Sequence, residues 1–297
     1  MSSRRLSLVD RLTIGIPLAW MSGFLALPIL AVAALSVHPI ADSIPPVGPL
    51  ITITQGHIAL HATPRAFQMV FGDALYRHAF GSALANAALT ALACAAIGFP
   101  FAYAIARAPV RQRNLFVLLA VLPFWTSFLL RAYAWMGMLR DSGPLNSALL
   151  GLGLIDRPLP ILYSPAAVFL VMVYSYLPFF VLPMYAVLEK LPTDLLAAAA
   201  DLGARPWYVF RTVTLPLSFT GIAAGAVLVF VPALGEYVIP ELVGNSDTLM
   251  IGGILWDEFF QNRDWPLAAA IALVTFGMLL APALLLRRWI GQISGFA

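Results

Sequence analysis

Residues Leu188–Pro216 carry the sequence LEKLPTDLLAAAADLGARPWYVFRTVTLP, and the rest of the chain is organised around them. Thr193 and Asp194 predict a helix start, because a small oxygen-bearing side chain can cap free N–H groups and an acid suits the positive end of a helix. Strong helix formers follow, and Gly203 stands where a left-handed C-terminal cap is expected. Pro206 then predicts a second short helix, WYVFRT, because proline is pre-set for a first helical turn. Two small helices joined at a glycine indicate a docking element for a partner.

The composition indicates an integral membrane protein. The chain has 297 residues, of which 61% are hydrophobic and 10% are charged, whereas a soluble domain carries about a quarter charged residues. A net charge of +3 is explained by arginine biased to one face of a membrane, and nucleic acid is not expected as a partner. The one cysteine, Cys94, lies in an apolar run and indicates a small buried hydrophobe.

Six apolar windows are long enough to cross a bilayer, which requires about 20 residues. They predict an all-α polytopic membrane protein in a single domain over residues 1–297. Arg131 interrupts the third window and Glu236 lies near the end of the fifth. Six spans put both termini on the same side. The predicted spans are about 12–36, 79–106, 115–139, 165–188, 217–240 and 265–286.

The basic residues indicate which side that is, because cytoplasmic segments carry an excess of lysine and arginine. With a cytoplasmic N-terminus, eleven basic residues lie inside and five outside, and Arg131 is set aside as intramembrane. The sequence therefore predicts that both termini and residues 189–216 are cytoplasmic. The inside residues are Arg4, Arg5, Arg11, Arg107, Arg111, Arg113, Lys190, Arg205, Arg211, Arg287 and Arg288, and the outside residues are Arg65, Arg77, Arg140, Arg157 and Arg263.

The sequence contains no nucleotide-binding motif. A phosphate loop requires G-x-x-x-x-G-K-[ST], whereas the one lysine, Lys190, follows VLE without a glycine-rich turn. If transport is driven by ATP, the energy must therefore come from a partner. The sequence also offers no Ser-His-Asp, Cys-His or paired-acid arrangement, so no catalytic residues are predicted.

All four histidines fall in the longest predicted outer loop, about His38–His78. His57 and His61 are four residues apart, which makes a metal site conceivable. However, LITIT just before them is typical of an extended segment, and no nearby acid completes a ligand set. The pattern favours a solvated loop, and no metal ligands are predicted.

Ionisable groups at membrane depth mark either a transport pathway or a paired structural charge. Arg131 lies in the third window, and Glu236 and Glu241 flank the sequence YVIP after the fifth. Arg131 and Glu236 could neutralise each other near the outer ends of their helices. Alternatively, Glu236 or Glu241 faces a cavity and attracts a cation. Both interpretations remain open at this point.

Aromatic residues and prolines add to the second interpretation. Aromatic faces beside carboxylates suit an organic ammonium through cation–π attraction, although tyrosine and tryptophan also belong at membrane interfaces whatever the function. Pro232 and Pro240 bracket Glu236 and permit a bent or broken helix, which makes the outer end of the fifth span the best candidate gate. The residues predicted for this pathway are Trp125, Arg131, Tyr133, Trp135, Tyr174, Tyr176, Glu236, Tyr237 and Glu241.

The segment AAAADLGARPWYVFRTVTLPL resembles the cytoplasmic signature of permease subunits of binding-protein-dependent ABC importers. In that signature, E-A-A is followed by a glycine and by an apolar stretch ending in L-P. Ala197–Ala204 matches it with Gly203 at the glycine, but Ala197 stands where the family has a glutamate. Three further stretches, LPFWTSFLLRAYAWMGMLRDSGPLN, VYSYLPFFVLPMYAVLEKL and VFVPALGEYVIPELVG, resemble the spermidine/putrescine branch, and in particular its putrescine-type first permease.

The resemblance implies an ABC importer type I permease fold in the bacterial inner membrane. It implies assembly with a second permease, two ATPase subunits that use ATP and Mg²⁺, and an extracytoplasmic solute-binding protein, with no cofactor in this chain. The cargo would be a polyamine such as putrescine or spermidine. Alternatives are another small cationic or amino-acid-derived solute, or a secondary transporter that works alone. Residues 189–216 would form a coupling loop that docks in a cleft of the ATPase through Thr193, Asp194, Ala197, Ala198, Asp201, Gly203, Ala204, Pro206, Phe210, Arg211 and Pro216.

Overall fold

The structure is a computed structural model, and it describes residues 8–54, 57–246 and 248–294. Arg4 and Arg5 lie outside the described residues. The same holds for the side chains of Arg11, Thr193, Arg287 and Arg288.

Helices form most of the described chain, and one short hairpin interrupts them. The elements are, in order, α1 (Leu8–Leu35), β1 (Ile51–Thr54), β2 (His57–Leu60), α2 (Arg65–Gly72), α3 (Ala74–Arg107), α4 (Val110–Val121), a 3₁₀ turn (Leu122–Trp125), α5 (Phe128–Leu139), α6 (Pro144–Gly151), α7 (Pro165–Glu189), α8 (Thr193–Asp201), α9 (Pro206–Val209), a π-helical turn (Phe210–Thr214), α10 (Leu215–Leu217), α11 (Phe219–Leu234), α12 (Val238–Val243), α13 (Ile251–Phe260) and α14 (Trp265–Ser294).

The chain divides into two compact units. Within the described ranges, the first contains residues 8–76 and 255–278, and the second contains residues 77–254 and 279–294. The second unit holds the coupling loop and every residue predicted for the pathway.

In the first unit, α1 presents apolar side chains such as Trp20 and Phe24, which are about two-thirds exposed, as expected for a helix that contacts lipid. The hairpin β1–β2 is antiparallel, with Ile51 opposite Leu60, so the extended LITIT segment is confirmed. The Nε2 atom of His61 lies 2.7 Å from the Thr52 hydroxyl across the hairpin.

The core of the second unit is built around α7. Phe180 of α7 is fully buried. A Cβ atom at Gly98 of α3 or at Gly225 of α11 would lie 2.7 Å from its ring, and one at Gly221 would lie 3.1 Å from Val187. The spacing Gly221-x-x-x-Gly225 therefore lets α11 approach α7 closely, as small residues do between helices in membranes.

Three predicted spans coincide with single long apolar helices, which are Thr13–Leu35, Ala74–Arg107 and Pro165–Glu189. The described residues contain these three, or up to five spans if each bent helix pair counts as one. At the predicted sixth span, Trp265–Leu280 is a shorter apolar helix within α14. The six-span count and the position of the termini stay predictions.

The region of the third predicted span, 115–139, is not one straight helix. Residues Val110–Trp125 and Phe128–Gly151 form a pair bent by 90°. The chain turns where Thr126 and Ser127 take extended backbone angles (ψ of 150° and 139°). Pro123, which cannot donate a helical hydrogen bond, lies in the 3₁₀ turn before them.

The fifth span is also not a single straight helix. Residues Pro206–Leu217 and Phe219–Leu234 meet at 63°, so the second helix of the coupling loop leads directly into the span. α11 then ends at Leu234, and the chain is not helical again until α12 begins at Val238. The break therefore contains Gly235, Glu236 and Tyr237, in the region predicted as a gate.

Candidate functional site

The first helix of the coupling loop, α8, begins at the predicted residue. Thr193 is its first residue and Asp194 lies in its first turn. The predicted cap is wrong by one position, because the N-cap residue is Pro192, which has no side-chain acceptor. The acid beside the positive end of the helix is thus the feature that favours this start.

Gly203 ends α8 in the expected left-handed conformation, with a φ of +79°. The amide of Gly203 donates to the Ala200 carbonyl at 2.9 Å, and the amide of Ala204 donates to the Ala199 carbonyl at 3.1 Å. This pair of hydrogen bonds is the Schellman arrangement. Space does not dictate the glycine, since no atom lies within 4 Å of where its Cβ would stand. The backbone conformation alone requires it.

The second helix differs from the predicted WYVFRT unit. Pro206 opens it as expected, but α9 ends at Val209 and a π-helical turn over Phe210–Thr214 follows. The Phe210 ring stacks on Trp207 at 5.3 Å and meets Phe99 of α3 edge-on at 5.6 Å. These ring contacts tie the coupling loop to a membrane span.

The coupling loop presents apolar side chains to its surroundings. Leu202 is 89% exposed and Trp207 is 70% exposed, which marks an interaction surface where such residues cluster. A groove of about 240 Å³ lies between the loop and α3, with Tyr103 and Phe210 in its walls. Ala204 and Phe210 are half-buried, and the predicted coupling residues that stand exposed are Asp194, Ala197, Ala198, Asp201, Gly203, Pro206, Arg211 and Pro216.

Glu236 lies in the break between α11 and α12 and is only 7% exposed. Its Oε1 atom accepts hydrogen bonds from the amides of Val238 and Ile239 at 2.9 and 3.2 Å, and its Oε2 atom accepts one from the Tyr176 hydroxyl of α7. The carboxylate therefore caps the free amides at the start of α12 while it is bound to α7. Three donors meet it in a buried place, which is the condition under which a buried charge is tolerated.

Arg131 does not pair with Glu236, although that ion pair was one of the two interpretations. Its Nη1 atom donates to the Pro123 carbonyl at 2.9 Å. Its guanidinium lies over the rings of Phe124 and Phe128, at 5.1 and 5.8 Å from their centroids. The Thr126 hydroxyl also donates to the Pro123 carbonyl, at 2.9 Å, so Arg131 is one of the donors that meet this carbonyl at the 90° bend of the third span.

Packed aromatic rings connect the surroundings of Arg131 and Glu236. Phe124 meets Phe179 of α7 edge-on at 4.9 Å, and Phe179 lies 6.2 Å from Tyr176. The predicted pathway included both charges and Tyr176 but neither phenylalanine, and the sequence contained no sign that rings rather than an ion pair join the two charges. The continuous series is Arg131, Phe124, Phe179, Tyr176 and Glu236.

The other predicted pathway residues have different surroundings. Trp135 packs edge-on against Tyr174 at 5.1 Å. Glu241 is exposed in the first turn of α12, and Tyr237 is half-buried. Trp125 and Tyr133 are 73% and 51% exposed. The structure thus brings Tyr176 and Glu236 together, and Trp125 and Tyr133 are not part of that contact.

Sequence reasoning missed Gly252, in the first turn of α13. A Cβ atom there would lie 2.6 Å from the Gly235 carbonyl oxygen and 2.9 Å from that of Glu236. The start of α13 therefore packs directly on the backbone of the break. The available signal was the pair Gly252-Gly253 in MIGGILW, since adjacent glycines at a helix start indicate a close backbone approach.

Similarity to known proteins extends along most of the chain. Residues 149–290 match the family model described as "Binding-protein-dependent transport system inner membrane component". The spermidine/putrescine transport system permease protein PotB of Escherichia coli (strain K12) is 40% identical over 211 residues, which are 70% of this chain and 77% of that protein. PotB of Haemophilus influenzae is 33% identical over 264 residues, or 89% of this chain and 88% of the relative.

Among solved structures, a bacterial alginate ABC transporter in complex with an alginate pentasaccharide-bound periplasmic protein has a chain with the same fold. The TM-score is 0.67 at 18% identity, over 92% of this chain and 90% of that one.

Proposed function

Because the chain belongs to the family of binding-protein-dependent transport system inner membrane components, we propose that it is the permease subunit through which an ATP-driven importer carries a polyamine across the bacterial inner membrane. In this proposal the chain crosses the membrane six times with both termini in the cytoplasm. It pairs with a second permease, binds two ATPase subunits that use ATP and Mg²⁺, and receives cargo from an extracytoplasmic binding protein.

The coupling loop supports an ATPase partner over a transporter that works alone. Its first short helix ends in a Schellman turn, and the loop presents Leu202 and Trp207 to the surroundings. Its second helix continues into the fifth span, so movement of the loop would act on the segment that contains Glu236. A secondary transporter needs no such loop, and this chain carries no phosphate loop of its own.

The observation that carries the choice of cargo is a buried carboxylate at a helix break, in a chain whose relatives are named for spermidine and putrescine. Glu236 is the acid in question, with Tyr176 and Phe179 beside it. A carboxylate with aromatic neighbours suits a primary ammonium group. The alternative, another small cationic or amino-acid-derived solute, would meet the same residues, because it shares that group.

Reconstitution tests the proposal. The complete complex is reconstituted in proteoliposomes, with ATP in the vesicle lumen on the side of the ATPase subunits and the cognate binding protein outside. These vesicles should take up labelled putrescine or spermidine. Glu236→Gln should lower uptake by roughly tenfold or more, because a charged hydrogen-bond partner of the ammonium is lost. Glu241→Gln should have a smaller effect, since Glu241 is exposed. Asp257→Asn, which changes an acid outside the predicted pathway, is the matched control.

The ligand held by the binding protein separates the two candidate cargoes. Mass spectrometry of the binding protein purified from its host should find a polyamine. A different cationic or amino-acid-derived ligand would support the alternative cargo and overturn the polyamine assignment. Full uptake by Glu236→Gln, Glu241→Gln and the double variant would reduce both acids to structural roles.

A further inference from the structure

Both carboxylate oxygens of Glu236 are already hydrogen-bonded in this conformation, and the residue is buried. Oε1 is bound by two backbone amides and Oε2 by the Tyr176 hydroxyl. Because the carboxylate is buried, an ammonium group arriving at Glu236 would compete with these donors for it. The two amides are fixed by the start of α12, whereas the hydroxyl belongs to a side chain. Tyr176 is therefore the donor that can leave.

Tyr176 lies on α7, in which 12 of 25 residues are buried. It is 6% exposed, and Phe180, one helical turn further along α7, is fully buried against two glycines of neighbouring helices. Since α7 is held in this way, the hydrogen bond from Tyr176 fixes Glu236 to a rigid support. Glu236, by contrast, lies in a three-residue segment between two helices.

The backbone of that segment is held from a second direction. The carbonyl oxygens of Gly235 and Glu236 lie against Gly252 at the start of α13. The contacts that hold the break include this backbone contact and the side-chain hydrogen bond from Tyr176 of α7 to Glu236. Loss of that hydrogen bond would leave the backbone contact and the two amide hydrogen bonds to Oε1 intact and would free Oε2.

We propose that Tyr176 is the positioning residue that keeps Glu236 closed to cargo and holds the broken fifth span in its resting conformation. This inference rests on the proposed function. An ammonium group replaces the Tyr176 phenol as the donor to Oε2 of Glu236. One O–H···O hydrogen bond breaks, one N–H···O hydrogen bond forms, and no proton is transferred. The released span then transmits the change to the coupling loop, whose second helix joins α11 through a 63° bend.

The test is ATP hydrolysis by the reconstituted complex without binding protein or cargo. Tyr176→Phe removes the hydroxyl and keeps the ring, so resting hydrolysis should rise by about threefold to tenfold, because a hydrogen bond to an ionised group shifts an equilibrium by at least that factor. Stimulation by loaded binding protein should fall in proportion. Tyr163→Phe is the matched control, because Tyr163 is exposed just before α7, and it should behave as wild type.

A double-mutant cycle separates the hydroxyl–carboxylate bond from a general loosening of the fold. In a Glu236→Met background, Tyr176→Phe should raise resting hydrolysis no further. Size-exclusion profiles and melting temperatures of all variants establish that the complexes are assembled. An equal rise from Tyr176→Phe in both backgrounds would overturn the inference, and so would wild-type resting hydrolysis in an assembled Tyr176→Phe complex. If the wild-type complex itself shows no stimulation by loaded binding protein, the proposed function fails first.

Discussion

Gly252 and Gly253 are neighbours in the first turn of α13, and only one of them leaves room for a side chain. A Cβ at Gly252 would press on two carbonyl oxygens of the break, whereas nothing lies within 4 Å of a Cβ at Gly253. Gly252→Ala should therefore destabilise the protein by about 1–3 kcal/mol, as overpacking does. Gly253→Ala should be neutral or slightly stabilising, because alanine favours a helix by up to about 1 kcal/mol over glycine.

The measurement for this pair is the melting temperature of each purified variant in detergent, together with uptake in proteoliposomes. The two substitutions add the same methyl group to adjacent residues of one helix, so detergent and expression effects cancel. Equal losses from Gly252→Ala and Gly253→Ala would contradict the close approach. A loss of uptake in Gly252→Ala alone would place the backbone of the break in the transport cycle.

Single residues show where prediction from sequence stops. A buried acid near proline is visible in the sequence, so Glu236 could be identified as a membrane-depth charge. Its partner could not, because the choice of Tyr176 over Arg131 depends on a break of three residues and a bend of 90° elsewhere. Hydrophobic periodicity records which residues are apolar, but not the angle between two helices.

At the scale of an element, the coupling loop depends on the left-handed residue that joins its helices. Gly203 and Gly153 both have positive φ angles, of +79° and +67°, and both have open space around the missing Cβ. Valine at either position should cost about 1–3 kcal/mol through backbone strain alone. Only Gly203→Val should abolish the stimulated ATP hydrolysis of the reconstituted complex, because only Gly203 sets the angle between the coupling helices.

Gly153→Val is thus the matched control for Gly203→Val, since it introduces the same strain in a different loop. Both variants should insert and assemble, which co-purification of the partner subunits measures. Stimulated hydrolysis that is unchanged in Gly203→Val, or lost equally in both variants, would contradict a specific role for the Schellman turn.

The elements also differ in how far their sequence predicts them. The start of α8 was predictable to within one residue, because acid, alanine run and glycine all act within one or two helical turns. The π-helical turn after α9 was not, because it depends on the Phe210 ring packing between Trp207 and Phe99 of α3. The bend of the third span likewise involves contacts that the sequence does not show, since the Thr126 hydroxyl and the Arg131 guanidinium both donate to the Pro123 carbonyl.

For the whole molecule, the charge pattern predicts the side of the membrane on which each loop lies. Cys94 is fully buried, so the native chain should react little with thiol reagents. Cys94→Ala removes the remaining reaction. Single cysteines can then replace exposed residues in successive loops. Suitable exposed positions are Asp42, Gln112, Arg157, Asp194 and Asp257.

With six spans and a cytoplasmic N-terminus, a membrane-impermeant maleimide applied to cells with a permeabilised outer membrane should label Asp42→Cys, Arg157→Cys and Asp257→Cys. Gln112→Cys and Asp194→Cys should react only after the inner membrane is opened. The decisive position is Arg157→Cys, because the bent pair before it either crosses the membrane or returns to the side it came from. Labelling of Asp42→Cys and Asp194→Cys, but not of Arg157→Cys or Asp257→Cys, would make that pair re-entrant. Both ends of the bent pair would then lie on the cytoplasmic side of the membrane. The coupling loop could no longer lie on the same side as the N-terminus.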